Sequence, residues 1–148
     1  MKKLLVLAGI ILSISCVFAR DEYTYSPAYI QHLKNCSPYT DEYVANVPTG
    51  DETSPYLKMK STEQIIGWLN GKCITKSTIV NLDLDQKVMV IKCGYSKEQL
   101  NSIIEKMKTV NKDASEEAKQ ILSDEMVKII EDGSSCKVKN YLEEQNQD

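Results

Sequence analysis

Histidine is the scarcest chemically useful residue in this sequence, because His32 is the only one among 148 residues. A Ser–His–Asp or Cys–His catalytic system would have to place a nucleophile beside this single side chain. The sequence specifies no such neighbour, and a lone histidine on a short predicted helix is most often a surface residue. We therefore predict no catalytic residue, which favours a protein without enzymatic activity.

Signatures of metal and cofactor binding are also missing. No two cysteines have the Cys-x-x-Cys spacing of zinc sites, and there is no glycine-rich phosphate-binding loop. Asn81, Asp83 and Asp85 place oxygens at alternate positions, as a calcium loop begins. However, the position that requires glycine is Gln86, and the twelfth position is Lys92 instead of a glutamate. A polar turn explains the segment better, so we predict neither a metal nor a cofactor.

An excess of basic charge is absent as well. The chain has 18 lysines and arginines against 21 aspartates and glutamates, and its formal net charge is −3. A mildly acidic protein with interspersed signs has no electrostatic reason to seek nucleic acid or anionic lipid. We therefore predict no nucleic-acid partner.

The only long hydrophobic run stands at the start of the chain, from Leu4 to Phe18. It is shorter than the ~20 residues that a membrane-spanning helix needs. Two lysines precede it, and Val17 and Ala19 supply small residues at the spacing that a signal peptidase reads. Residues 1–19 are thus predicted to be a cleaved signal peptide, of a kind that looks bacterial, on a periplasmic or secreted protein.

Cys16 leaves an alternative for this leader. A lipidated Cys16 would become the first residue of the mature chain and anchor it to a membrane. The residues before it do not fit the usual lipoprotein pattern well, because Leu12 stands one place too far upstream. We expect no membrane association unless Cys16 is lipidated.

Four cysteines remain after cleavage: Cys36, Cys73, Cys93 and Cys136. Free thiols rarely persist outside the cytosol, so two disulfides are expected, and four cysteines allow three pairings. In the predicted sheet Cys73 occupies a hydrogen-bonded site toward the third strand, where Cβ atoms lie too far apart for an unstrained bridge to Cys93. We favour Cys36–Cys73 with Cys93–Cys136, and the other pairings stay open.

The predicted fold class is α+β. A short N-terminal helix begins at Ser26 and Pro27, where a capping hydroxyl precedes a proline at the first helical position. A three-stranded antiparallel meander and two helices packed on the sheet follow. The strands are predicted at 62–69, 73–81 and 87–93, and Asn70-Gly71 marks the first hairpin turn. Residues 20–142 form one domain, with an irregular tyrosine- and proline-rich loop at 37–61 and a polar tail at 143–148.

The two predicted helices near the end of the chain have clear signals. Ser96 and Gln99 form a capping box at the start of the first helix. Gly133 is expected just past the end of the second helix, in the left-handed conformation. The second helix is predicted to bury an apolar stripe, which consists of Ala118, Ile121, Leu122, Met126, Ile129 and Ile130.

Aromatic residues provide the only candidates for a partner contact. The hairpin predicts that Trp68 lies opposite Cys73, where a tryptophan packed on a disulfide is the favoured interpretation. A tryptophan presented for docking is the alternative, as are Tyr39, Tyr43 and Tyr56 of the predicted loop. We interpret the chain as a small exported binding module for an unknown protein or small ligand. An envelope-associated structural protein or lipoprotein is the alternative, and a carboxylate-dependent hydrolase is a more distant one.

Overall fold

A computed structural model of the protein describes residues 25–49, 52–113 and 115–141. The predicted signal peptide, Cys16 and the predicted tail at 143–148 lie outside these residues. The fold is α+β. Its elements are α1 (Pro27–Asn35), β1 (Tyr39–Pro48), β2 (Tyr56–Leu69), β3 (Lys72–Asn81), β4 (Gln86–Tyr95), α2 (Lys97–Lys112), α3 (Glu116–Glu131) and β5 (Cys136–Asn140).

The sheet has five strands in the described residues. The three predicted strands correspond to β2, β3 and β4, and the prediction missed β1 and β5. The order is β1-β2-β3-β4-β5, with every neighbouring pair antiparallel. The predicted irregular loop at 37–61 is instead largely strand. Its prolines, Pro38, Pro48 and Pro55, stand beside or at the ends of β1 and β2, where a missing N–H costs no central ladder bond.

The first hairpin turn has the conformation that its sequence predicts. Asn70 and Gly71 both have positive φ, at 50° and 74°, and β2 pairs with β3 directly across them. Trp68 lies opposite Cys73, and the register shifts between Ile65 and Gly67, where β2 has a bulge. The turn therefore fixes the register near the hairpin, and the bulge changes it further along.

The predicted helix starts and stops are confirmed. Ser26 caps α1 by accepting a hydrogen bond from the Tyr29 amide, and Ser96 with Gln99 forms the capping box of α2. Gly133 follows α3 with a φ of 67°. All three helices pack against the sheet. Helix α1 contacts α2 and β1, α2 contacts β3 and β4, and α3 contacts α2 and β5.

The apolar stripe of α3 differs from the predicted one at two positions. Ala118, Leu122, Ile129 and Ile130 are buried as predicted, but Ile121 is 50% exposed. Ser123 is buried in its place. Ile121 and Ser123 flank Leu122 on opposite sides, since successive residues of an α-helix lie about 100° apart. The row of α3 that faces the sheet passes through Ser123, and Ile121 is left outside it.

Two disulfides join the elements, and both have the predicted pairing. Cys36 at the end of α1 is bonded to Cys73 at the start of β3, with Cα atoms 5.7 Å apart. Cys93 of β4 is bonded to Cys136 directly opposite in β5, with Cα atoms 4.1 Å apart. The disulfides are consistent with an oxidising, exported environment. Within the described ranges, no helix is long and apolar enough to cross a membrane.

Candidate functional site

A cavity of about 100 Å³ lies between the sheet and the helices that cover it. A water molecule needs about 10–15 Å³ of such space, and an engineered cavity of ~150 Å³ in another protein binds benzene. The present cavity therefore has room for several waters or for a small organic molecule. Its walls are mostly apolar, with Ile91 from β4, Ile103 and Met107 from α2, and Leu122, Met126 and Ile130 from α3.

A buried carboxyl group, that of Glu63, forms part of the cavity wall. Ser61, Glu63 and Ile65 alternate along β2 toward the helices, and Glu63 is only 8% exposed. The Ser61 hydroxyl donates a hydrogen bond to Glu63 Oε1 at 2.9 Å, and the Ser77 hydroxyl of β3 donates to Oε2. The two serines on neighbouring positions of the sheet thus fix the orientation of the carboxyl group.

The surroundings of Glu63 disfavour its charged form. Burial is the largest cause that raises the pKa of Glu63, and the two serine hydroxyls oppose it. Asp41 of β1 lies directly opposite in the register and raises this pKa further. Among the described residues, none of the groups that shift the pKa of Glu63 is basic. The carboxyl group therefore has no cationic side chain as a counterpart in this part of the chain.

Three tyrosines, Tyr25, Tyr29 and Tyr95, surround the same side of the cavity. Burial is the first cause that raises the pKa of each hydroxyl, and the nearby Glu63 carboxylate raises all three further. Tyr25 is held by its backbone, whose N–H and C=O form hydrogen bonds of 3.0 and 2.9 Å with the Asn111 side chain. The three rings and the carboxyl group form one aromatic and acidic wall.

Ser123 supplies a polar group on the helical side. It lies in a row of α3 that faces the cavity, together with Lys119, Met126 and Ile130. Ser123 is 6% exposed, and its hydroxyl has no hydrogen-bond partner among the described residues. Leaving a buried hydroxyl unsatisfied costs about 1–3 kcal/mol. A molecule in the cavity that bonded to this hydroxyl would remove the cost.

Lys119 is the one basic residue that lines the cavity in the described ranges. Its ammonium group forms an ion pair of 2.9 Å with Glu116, one turn earlier on α3. Glu116 is almost fully exposed, so the pair lies toward solvent. The lysine is therefore engaged away from Glu63.

The aromatic residues singled out from the sequence do not form one surface. Trp68 lies opposite Cys73 as predicted but is 47% exposed, so it is not a core residue. Tyr56 is 59% exposed at the other end of β2, about 40 Å away at ~3.3 Å per residue. Tyr39 and Tyr43 lie on β1 and are only partly exposed.

The lone histidine has local contacts. The His32 ring stacks on Tyr39 with centroids 4.4 Å apart, and its Nδ1 lies 2.9 Å from the Ser37 hydroxyl. His32 lies in the last turn of α1 and does not line the cavity. These contacts connect α1 to β1.

The polar turn that resembles the start of a calcium loop bonds to itself. The Asn81 side-chain oxygen accepts hydrogen bonds from the Asp83 and Leu84 amides. Within residues 25–49, 52–113 and 115–141, no three acidic, histidine or cysteine side chains converge as metal ligands.

Sequence reasoning missed Glu63 and Ser123. The signal for Glu63 was the alternation of β2, since Glu63 is in phase with Ile65 and therefore belongs on the buried face. For Ser123 the signal was weaker, because a serine within an apolar helix pattern is equally compatible with either side of the stripe.

No protein-family model, curated protein sequence or solved structure matches the chain.

Proposed function

We propose that this protein is an exported binding protein that holds a small, largely apolar ligand in the cavity between sheet and helices. One observation carries the proposal: a buried carboxyl group lines the same apolar cavity as a buried hydroxyl that has no hydrogen-bond partner in the described part of the chain. Small-molecule sites are typically apolar concavities with a few polar groups that orient the ligand. At about 100 Å³ the cavity suits a molecule with only a few carbon atoms.

Export is the second part of the proposal. The leader with its short apolar run and the two disulfides support a periplasmic or secreted protein, cleaved after Ala19. Mass spectrometry of the exported protein should find Arg20 at its N-terminus. A lipidated N-terminal Cys16 would instead favour the envelope-anchored alternative.

The binding site is tested by filling the cavity. Ser123→Leu replaces the hydroxyl with an isopropyl group on the cavity wall. Ser134→Leu makes the same change at an exposed position after α3 and serves as the matched control. A panel of small alcohols, amines and aromatic compounds is titrated into both variants by calorimetry, and circular dichroism checks their folding.

We expect compounds that bind the unmodified protein to bind Ser134→Leu equally well. They should bind Ser123→Leu at least about tenfold more weakly, which corresponds to 1.4 kcal/mol. A folded Ser123→Leu variant with undiminished affinity for every ligand would exclude the cavity as the binding site.

A further inference from the structure

The Glu63 carboxyl group has unused capacity as a hydrogen-bond acceptor. An ionised carboxylate offers about four lone-pair positions, and the Ser61 and Ser77 hydroxyls each donate to one of its oxygens. Each carboxyl oxygen thus has one serine partner and keeps a second lone-pair position when Glu63 is ionised. A ligand that reaches Glu63 therefore meets an acceptor that is already oriented by the sheet.

A second acidic residue stands beside Glu63 on the neighbouring strand of the described sheet. Asp41 adds a second acidic group on the neighbouring strand, where the Ser26 hydroxyl donates to it at 2.8 Å. Lys119, which lines the cavity, is paired with Glu116. When Glu63 is ionised the site is negative and apolar, a combination that favours a cationic ligand group and disfavours an anionic one.

The rings of Tyr25, Tyr29 and Tyr95 suit the same kind of group. The face of an aromatic ring attracts a cation, and several such rings together recognise organic ammonium groups. The rings line the cavity together with Glu63, and their hydroxyls lie close enough for its charge to act on them. Three aromatic side chains and a carboxyl group therefore line the cavity that one ligand group would enter.

We infer that the ligand is a small organic amine, whose ammonium group binds the Glu63 carboxylate among Tyr25, Tyr29 and Tyr95. Its hydrocarbon part lies against the apolar side chains of α2 and α3, and a further polar atom can bond to Ser123. This inference rests on the proposed function, because it names the ligand class of the same cavity. An ammonium ligand would supply the positive charge that the described residues do not place beside Glu63.

The test uses three compounds with nearly the same carbon skeleton and different charge: isobutylamine, isobutyl alcohol and isobutyrate. Each is titrated by calorimetry into the disulfide-bonded exported protein at neutral pH. We expect the amine to bind at least about tenfold more tightly than the alcohol, and isobutyrate not to bind. Equal affinities for the amine and the alcohol would overturn the amine inference and leave the proposed function intact. Binding of none of the three would overturn both.

Two variants locate the recognition of the amine. Glu63→Gln keeps the shape of the side chain and removes its charge, so the variant should lose the preference for the amine and retain affinity for the alcohol. Glu42→Gln is the matched control, because Glu42 is an exposed glutamate on β1 that pairs with Lys60 at 2.9 Å. An unchanged preference in Glu63→Gln would overturn the inference, as would an equal loss in both variants.

Acidification gives an independent readout. Affinity for the amine should fall as the pH drops through the raised pKa of Glu63, because protonation removes the negative charge. Other groups near Glu63 or in the cavity can contribute to the profile. They are Asp41 and Tyr43 of β1, Tyr25 before α1, Tyr29 of α1, Tyr95 of β4 and Lys119 of α3. The fall should be much smaller in Glu63→Gln than in the unmodified protein, and an equal fall in both would contradict the assignment.

Discussion

Replacing Ser123 with alanine should make the protein more stable, although the substitution removes a polar group from a buried helix. The hydroxyl has no hydrogen-bond partner among the described residues, and its removal recovers about 1–3 kcal/mol of desolvation cost. Alanine in a helix interior adds up to ~0.5 kcal/mol relative to serine. Water in the cavity and the lost contacts of the oxygen offset part of this gain. We expect the free energy of unfolding to rise by about 1 kcal/mol, or Tm by about 4 °C.

Ser102→Ala provides the matched control for this substitution. Ser102 also lies within a helix, but its hydroxyl donates to Glu125 at 3.1 Å and accepts from Lys106 at 2.8 Å. The gain in helix propensity is the same, whereas two hydrogen bonds are lost. The control should therefore be neutral or destabilised by up to about 1 kcal/mol.

Urea denaturation of the oxidised protein at neutral pH measures both variants. We expect Ser123→Ala to be more stable than the unmodified protein and Ser102→Ala not to be. If Ser123→Ala were clearly less stable, its hydroxyl would be satisfied in the folded protein, and the cavity would lack the unmet polar group on which the proposal depends.

Three further predictions follow from single features of the fold. Burial raises the pKa of Glu63, so the folded state retains a proton that the unfolded state releases above about pH 4.3. The free energy of unfolding should therefore fall as the pH rises from about 4.3 through the raised pKa of the folded state. Urea denaturation across this range should show that Glu63→Gln removes this fall; an unchanged profile would contradict it. Gly71→Val places a branched residue at a φ of 74°, with no atom within 4 Å of the added Cβ, so backbone strain alone should cost about 1–3 kcal/mol in a thermal melt. An unaltered melt would show that the turn is assigned wrongly. Replacing Cys93 and Cys136 together with alanine opens a link across a sequence separation of 43 residues and should cost roughly 3–4 kcal/mol, measured by urea denaturation. A loss below about 1 kcal/mol would mean that the bridge restricts the unfolded chain little.

The elements that the sequence predicted correctly depend on local rules. The caps at Ser26 and Ser96 and the Asn70-Gly71 turn each satisfy backbone groups within a few residues, so their structure follows from neighbouring side chains. The disulfide pairing was predicted from the strain of a Cys73–Cys93 bridge between neighbouring strands. In the structure Cys73 lies opposite Tyr95 and Cys93 lies opposite Thr75, so the two cysteines do not face each other and Cys93 bonds to Cys136 on the other side of β4.

The edge strands β1 and β5 could not be predicted in the same way. Each forms on the free edge of a strand that is already paired; β5 is short, and β1 is bounded by proline at both ends. Pairing with β2 and β4 supplies the stability that local propensity does not. These segments are strands because they form hydrogen bonds with a neighbouring strand in a fixed register. Sequence patterns do not report that pairing.

Which residues line the candidate site depends on the rotation of α3 about its axis. Sequence periodicity gives that rotation too coarsely to place each residue. Ile121 and Ser123 differ by two positions on α3, and a small rotation of the helix exchanges which one faces the sheet. Glu63 was readable from the alternation of β2, but a glutamate on a strand is ordinarily assigned to the solvent face. The cavity itself lies where side chains of the sheet and of the helices meet, and no single segment encodes it.

The most direct test of the account is the position of a bound amine in solution. Isobutylamine is added to isotope-labelled, disulfide-bonded protein, and nuclear Overhauser effects between ligand and protein are measured by NMR. We expect contacts between the ligand methyl groups and the side chains of Met107 and Leu122, which line the cavity on its helical side. Contacts confined to exposed carboxylates such as Glu116 and Glu117, with none to Met107 or Leu122, would contradict it.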